Sequence, residues 1–235
     1  LAGQGRVDLA QARFSADLTA RRVDARALHA ALPATGLAGP LRVQLAADPQ
    51  RLDLDCDWRD ARYAFKVSAR ADAQAIDVAQ LQVGAQGAGA GARVVAQGRL
   101  GLAGDRRFSL QGRLRDVDAA GLLAAARAAR GADAAGFKAR GVLNADFEAH
   151  GAWGLAPEVV LHFSLDGSRV GTQSLSGGGD VDWSGGRLRR AEVDVLAAGN
   201  RLRASGAFGR PGEALRVMLD AQQLAHEPAG IGGVV

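Results

Sequence analysis

Hydrophobic and polar residues alternate with period two along most of this chain, the spacing of strands that set one face in water and gather apolar side chains on the other. In Leu52-Asp53-Leu54-Asp55-Cys56-Asp57-Trp58 the apolar residues share one side and three aspartates the other. After a short turn, Tyr63-Ala64-Phe65-Lys66-Val67-Ser68-Ala69-Arg70 alternates in the same way. Pairing Trp58 with Tyr63 sets Cys56 opposite Phe65, Leu54 opposite Val67 and Asp55 opposite Lys66, so one hairpin register suits both faces. Gly199-Asn200 suits a two-residue hairpin turn, which sets Val195 opposite Ala204, Val193 opposite Gly206 and Ala191 opposite Phe208. Further strands are expected at 13–20, 41–47, 75–83, 93–102, 107–114, 142–149, 159–165, 180–183 and 215–221. Two short helices interrupt them: Asp24 can cap 25–32, which Pro33 ends, and Asp118 can cap 119–130, which Gly131 ends.

These elements recur. Gly5-Arg6-Val7-Asp8-Leu9 returns as Gly98-Arg99-Leu100-Gly101-Leu102, Arg13-Phe14-Ser15 as Arg107-Phe108-Ser109, and Val23-Asp24-Ala25 as Val117-Asp118-Ala119. A third copy starts at Gly206, which divides a single repeat-built segment, 1–235, into units of approximately 5–97, 98–205 and an incomplete 206–235. Such self-similarity marks an array in which each unit buries its apolar face against its neighbours. The expected fold class is all-β, a sheet rich in antiparallel strands.

Composition bears on what that face does. Hydrophobic residues make up 48% of the chain, but aromatic residues only 5%, and Ala supplies much of the rest. Small side chains fill a closed sandwich core poorly. The residues expected on the apolar face are Phe14, Leu18, Leu41, Val43, Leu45, Leu54, Phe65, Val67, Phe108, Leu110, Leu114, Leu143, Phe147, Leu161, Phe163, Trp183, Leu202, Phe208, Leu215, Val217 and Leu219. Either they close into a sandwich or β-helix core, or the sheet curls around them without closing and leaves an apolar groove. Ala16, Ala204, Gly112 and Gly206 would keep such a groove unfilled.

Charge and motif chemistry subtract more than they add. The chain carries 29 Lys plus Arg against 25 Asp plus Glu. Its basic residues are spread singly and mixed with Asp, which is a solvated strand face and not a phosphate-tracking groove, so no nucleic-acid partner is expected. Gly87-Ala88-Gly89-Ala90-Gly91-Ala92 fits a dinucleotide fingerprint in letters only, because strand and not helix follows it. Asp53, Asp55 and Asp57 lack the turn glycine and the closing Glu of a calcium loop, and pairing with Lys66 and Arg70 is the expectation for them. His29, His150, His162 and His226 show no metal-ligand spacing, and Glu148, Glu158 and Glu192 stand without an evident partner. No catalytic residue, metal or cofactor is expected. Cys56 is the sole cysteine, so no internal disulfide forms. No spanning segment or signal sequence is evident, and any membrane anchor is expected outside this piece.

Three stretches carry a resemblance: 32–41, with Gly36-Leu37-Ala38-Gly39-Pro40-Leu41; 141–151, with Gly141-Val142-Leu143-Asn144-Ala145-Asp146-Phe147; and 191–224, with Ala198-Gly199-Asn200-Arg201-Leu202 and Gly206-Ala207-Phe208-Gly209. The chain resembles an internal fragment of the TamB family, subunits of the translocation and assembly module of diderm bacteria and part of the AsmA-like group of bridge-like lipid transfer proteins. The resemblance implies a U-shaped "taco" sheet, an open groove with an apolar interior, in a periplasmic protein anchored in the inner membrane. It further implies phospholipid transport toward the outer membrane, and partnership with the outer-membrane Omp85-type protein TamA in outer-membrane biogenesis and protein secretion. A second expectation is a chaperone-like scaffold that assembles outer-membrane proteins, autotransporters among them, by β-strand augmentation.

Overall fold

The computed structural model describes residues 1–27, 34–47, 50–86, 91–118, 141–154 and 157–221. The described chain forms a single open sheet of 14 antiparallel strands in strict sequence order. They are β1 (Ala2–Asp8), β2 (Arg13–Val23), β3 (Leu37–Ala47), β4 (Gln50–Arg59), β5 (Tyr63–Asp72), β6 (Ala75–Ala85) and β7 (Arg93–Gly101). Then follow β8 (Arg107–Asp118), β9 (Gly141–Ala152), β10 (Glu158–Val170), β11 (Gln173–Ser184), β12 (Arg187–Ala197), β13 (Asn200–Phe208) and β14 (Leu215–Asp220). β1 and β14 are its two edges, so the sheet does not close into a barrel, and no second layer packs on it among the described residues. The described residues therefore do not form the closed sandwich core that alternation left open: it supplied one apolar face, and none of them folds back over it.

Turn chemistry sets the hairpins. Asp8, Asp60 and Asp72 each end a strand and accept hydrogen bonds on Oδ1 from the backbone N–H groups two and three residues later, at 2.7–3.1 Å. These aspartate turns satisfy donors that the ladder leaves over. Asp60 also corrects the expected register of its hairpin. By holding Ala61-Arg62 as a two-residue turn it pairs Trp58 with Phe65, Cys56 with Val67, Leu54 with Ala69 and Asp57 with Lys66. At the second hairpin the turn falls on Ala198-Gly199, both at positive φ (55° and 78°), as a type I′ turn requires. Val195 therefore faces Leu202, Val193 faces Ala204 and Ala191 faces Gly206. In both hairpins the partners move by two residues, which preserves the face of every side chain.

Strand limits also differ from the alternation. β1 was not among the expected strands, because Gly3 and Gly5 interrupt its apolar positions, yet it pairs along its whole length with β2. β10 and β11 extend well beyond their apolar runs, through a bulge near Ser168 and through Gly177, Gly178 and Gly179. Of the expected helix 25–32, residues Ala25–Ala27 form a 3-10 turn on Asp24, and the rest of it lies outside the described residues, as does 119–130. Among the described residues no helix is long and apolar enough to cross a membrane.

The repeat has a structural counterpart of six strands. Ala12 and Arg106 sit at φ 47° and 49° just before β2 and β8, and Arg22 and Asp116 at φ 56° and 51° make an extra residue near the end of the same two strands. Strands β6 and β12, six apart again, each carry an inserted residue too. Arg22 and Asp116 occupy bulges, where one strand must accommodate an extra residue, whereas Ala12 and Arg106 end the turns that lead into β2 and β8.

Two predictions test this frame. The backbone N–H of Arg62, with those of Gly36 and Tyr63, holds the Asp60 carboxyl below the ordinary carboxylate range, and Gln74 and Ala75 do the same for Asp72. Their contribution to stability is complete above the unfolded carboxylate value of about 3.9 and is lost as pH falls through the lowered folded values. Asp60→Ala should cost about 1 kcal/mol at neutral pH and flatten the acid limb of stability, as denaturant titrations at neutral and acid pH will check. In mid-sheet, Gly177 has φ 122°, and a Cβ there would lie 2.2 Å from the Asp194 carbonyl oxygen. Gly177→Val should cost about 2–4 kcal/mol in the same measurement.

Candidate functional site

Antiparallel partners lie on the same side of a sheet, so the register turns alternation along each strand into rows across all of them. The clearest row runs Gly5, Ala16, Val43, Leu54, Ala69, Val78 and Gly98 through β1–β7. It continues as Leu110, Ala149, Leu161, Val181, Ala191, Gly206 and Leu215 through β8–β14. No polar side chain interrupts it over 14 strands. Three more rows carry no polar side chain either, one across all 14 strands and two across 13. One passes through Phe14, Leu45, Phe108, Trp183 and Phe208. Another passes through Leu18, Leu41, Val67, Phe147, Phe163 and Val217. The last passes through Phe65, Leu114, Leu202 and Leu219.

All the expected apolar-face residues fall on this one side. Leu143 pairs with Val117 one step beyond the last row. At strand spacings of about 4.8 Å, and about 7 Å between alternate residues, the four rows cover roughly 60 Å across the strands and roughly 20 Å along them.

The face is half-covered by its own neighbours, and no more. Only small or recessed residues are buried on it, among them Ala16, Ala145, Ala191 and Cys56. Large side chains stay partly exposed, up to 62% for Leu219 and 66% for Phe208 at the β14 edge. Glycine makes room for them. A Cβ on Gly112 would lie 2.6 Å from the Phe147 ring, so Phe147 lies over its cross-strand neighbour. Trp58 and Phe65 pack with ring centroids 6.0 Å apart, and the Trp58 Nε1–H is buried without an acceptor among the described residues.

Residues the alternation did not single out fill the same rows: Ile76, Val78, Leu81 and Val83 on β6, and Leu188 on β12. Each strand holds a bulge, so apolar positions sit three apart at Val78/Leu81 and Leu188/Ala191. That three-residue step was the readable signal. It marks an inserted residue that leaves the face unchanged.

The other face is mostly polar, with Val95 and Val160 among its exceptions, and is laced with ion pairs. Arg42 meets Asp17, Arg70 meets Asp53 and Arg99 meets Asp77, each at 2.8 Å. Arg113 and Arg115 grip Asp146, and these guanidinium groups hold its carboxyl below the ordinary range. Asp53 is thus paired as expected, whereas Lys66 faces Asp57 and not Asp55. His162 Nδ1 lies 2.8 Å from Asp180, His150 is on the same polar face, and His29 and His226 lie outside the described residues. Of the carboxylates left without a partner, Glu158 accepts from Ser184 Oγ at 3.2 Å and Glu148 faces His162. Exposed pairs contribute about 0–1 kcal/mol each, so this lattice favours solubility and register more than stability.

A concavity of about 830 Å³ lies over β7–β10, lined on this polar face by Gln97, Gln111, Arg113, Glu148 and His162. Asp146 engages Arg113 and Arg115, Arg93 lines the same space, and the concavity is a solvated basin. Among the described residues no cluster of His, Cys, Asp and Glu is arranged to hold a metal.

With the geometry established, comparison adds no identity: no known family, curated protein or solved structure matches the chain.

Cys56 reports on the apolar face directly. It is 6% exposed between Leu41 and Val67, and burial pushes its thiol above the ordinary cysteine value. Alkylation near pH 8 should run slower than for a free thiol, since thiolate and not thiol reacts. Denaturant should restore the ordinary rate in a timed alkylation read by mass spectrometry.

Proposed function

We propose that this sheet is a passive lipid conduit, a segment of a TamB-like bridge that carries phospholipid acyl chains on its apolar face between the inner and outer membranes. The observation that supports this reading best is the four apolar rows, two crossing all 14 strands and two crossing 13, with nothing among the described residues covering them. A soluble protein rarely leaves so large a patch in water without a partner for it. In this reading the sheet curves into a U-shaped trough with the apolar rows inside, and the charged face outside.

The dimensions suit a lipid. The roughly 20 Å width along the strands exceeds one leaflet of a hydrocarbon core about 30 Å thick, so tails lie along the strands with the headgroup at a rim. Each methylene placed on the face gains about 0.8 kcal/mol. Because every strand offers the same rows, that gain changes little as the lipid steps from strand to strand. Movement then needs no energy source in this segment and no catalytic residue. Periplasmic location, an inner-membrane anchor elsewhere in a longer protein, and TamA at its outer-membrane end belong to the same proposal.

A second reading has its own support. β14 is exposed along its whole length and bears no strand on its outer side among the described residues. An edge of this kind accepts a further β-strand, as a scaffold for outer-membrane protein assembly would require.

One experiment separates them. Lipid copurifying with the chain should be seen by native mass spectrometry, and photocrosslinkers at Phe65 or Phe163 should capture it. Leu202→Arg, on a side chain already 40% exposed, should lower bound lipid about tenfold, while Arg216→Gln on the polar face leaves it unchanged. Capture of polypeptide at β14, with no lipid on the wild-type chain, would decide for the scaffold.

A further inference from the structure

Within the lipid reading above, one position on the rim of the apolar face is built unlike the rest. The β8–β9 ladder continues one step past its last strand pair, where the Trp153 N–H donates to the Arg106 carbonyl oxygen at 3.0 Å. Arg106 and Trp153 are therefore backbone partners at the strand ends, one step beyond Arg107 and Ala152 and two beyond Phe108 and Gly151. The Trp153 indole reaches over the end of β8 and donates from Nε1 to the Gly101 carbonyl oxygen at 2.9 Å. Above that fixed ring the Arg106 guanidinium sits 5.2 Å from the centroid. Asp105, the adjacent carboxylate, is engaged by Arg107. Exposed Leu102 borders the same turn, and Trp153 itself is 40% exposed.

The first repeat serves as an internal control. There the Ala47 N–H donates to the Ala12 carbonyl oxygen, also at 3.0 Å, and Ala12 has φ 47° where Arg106 has 49°. The backbone frame is the same, and two alanines satisfy it. The fold does not require an arginine or a tryptophan at this place.

We infer that Arg106 on Trp153 is a binding site for a phosphate group borne by a lipid, a headgroup station at the rim while the tails lie on the rows beyond Phe108. Stacking on the indole fixes the guanidinium and shields one of its faces, while its edge keeps donors free for the paired hydrogen bonds that phosphate accepts. A tryptophan with an apolar body and a wet edge suits the boundary between tail and headgroup.

The test compares three chains: wild type, Arg106→Gln, and the double variant Arg106→Ala with Trp153→Ala, which restores the alanine pair of the first repeat. Each is titrated with a phospholipid and with a diacylglycerol of the same tails, in detergent, and binding is read by native mass spectrometry. Wild type should prefer the phospholipid by about tenfold, and both variants should lose that preference while keeping diacylglycerol uptake. An unchanged preference in the variants overturns the headgroup site and leaves the conduit reading standing. Absence of both lipids from the wild type overturns the two together. Inorganic phosphate is the third arm. If it displaces phospholipid at equal concentration, the site is one for free phosphate, and the lipid assignment is overturned.

Discussion

Cross-strand register is the constraint on which everything else in this protein depends. In an antiparallel sheet each residue shares its face with its partner, so a slip of one residue anywhere would turn one strand's apolar side toward the charged face. Thirteen successive pairings keep the two faces separate from Ala2 to Asp220. Where a strand gains a residue, as between Val78 and Leu81 or Leu114 and Val117, the bulge absorbs it and the next pair is back on its proper side. Aspartate turns at Asp8, Asp60 and Asp72, and the positive φ angles at Ala198-Gly199, fix where each hairpin begins.

Such a sheet has an unusual energy balance. Ordinary domains bury an apolar face against a second layer, whereas here the coverage comes from neighbours on the same face. Alanines and glycines are recessed beneath larger partners, as Gly112 is beneath Phe147. Larger side chains keep part of their surface in water, and that residue of unburied area is what an apolar occupant would remove. Under the proposed lipid reading, binding and stability share one surface: a lipid on the rows would stabilise the sheet that holds it.

The repeat shows which features belong to the frame and which were added to it. Bulges on β2 and β8, and again on β6 and β12, hold the same backbone shape in successive units. The side chains on that shape differ freely. Ala12 with Ala47, and Arg106 with Trp153, close the same rim with the same backbone bond. Divergence on a common frame is where chemistry particular to one unit becomes visible.

Alternation along the chain was sufficient for the all-β class, for most strands and for the face of every apolar residue singled out, because side-chain direction in a strand is a local property of period two. It also placed the aspartates of β4 in water. Partners were less legible. The Trp58–Phe65 and Val195–Leu202 pairs were displaced by two residues from expectation, since turn placement depends on Asp60 hydrogen bonds and on left-handed φ at Ala198, neither of which alternation encodes. β1 and the apolar face of β6, whose strand was itself expected at 75–83, were obscured for the same reason: glycines and inserted residues break the period while the ladder bridges them. Only the tertiary structure decided that fourteen strands lie side by side in one open layer, with four rows left uncovered among the described residues, because the period of a strand does not encode whether successive hairpins continue one sheet or fold over one another.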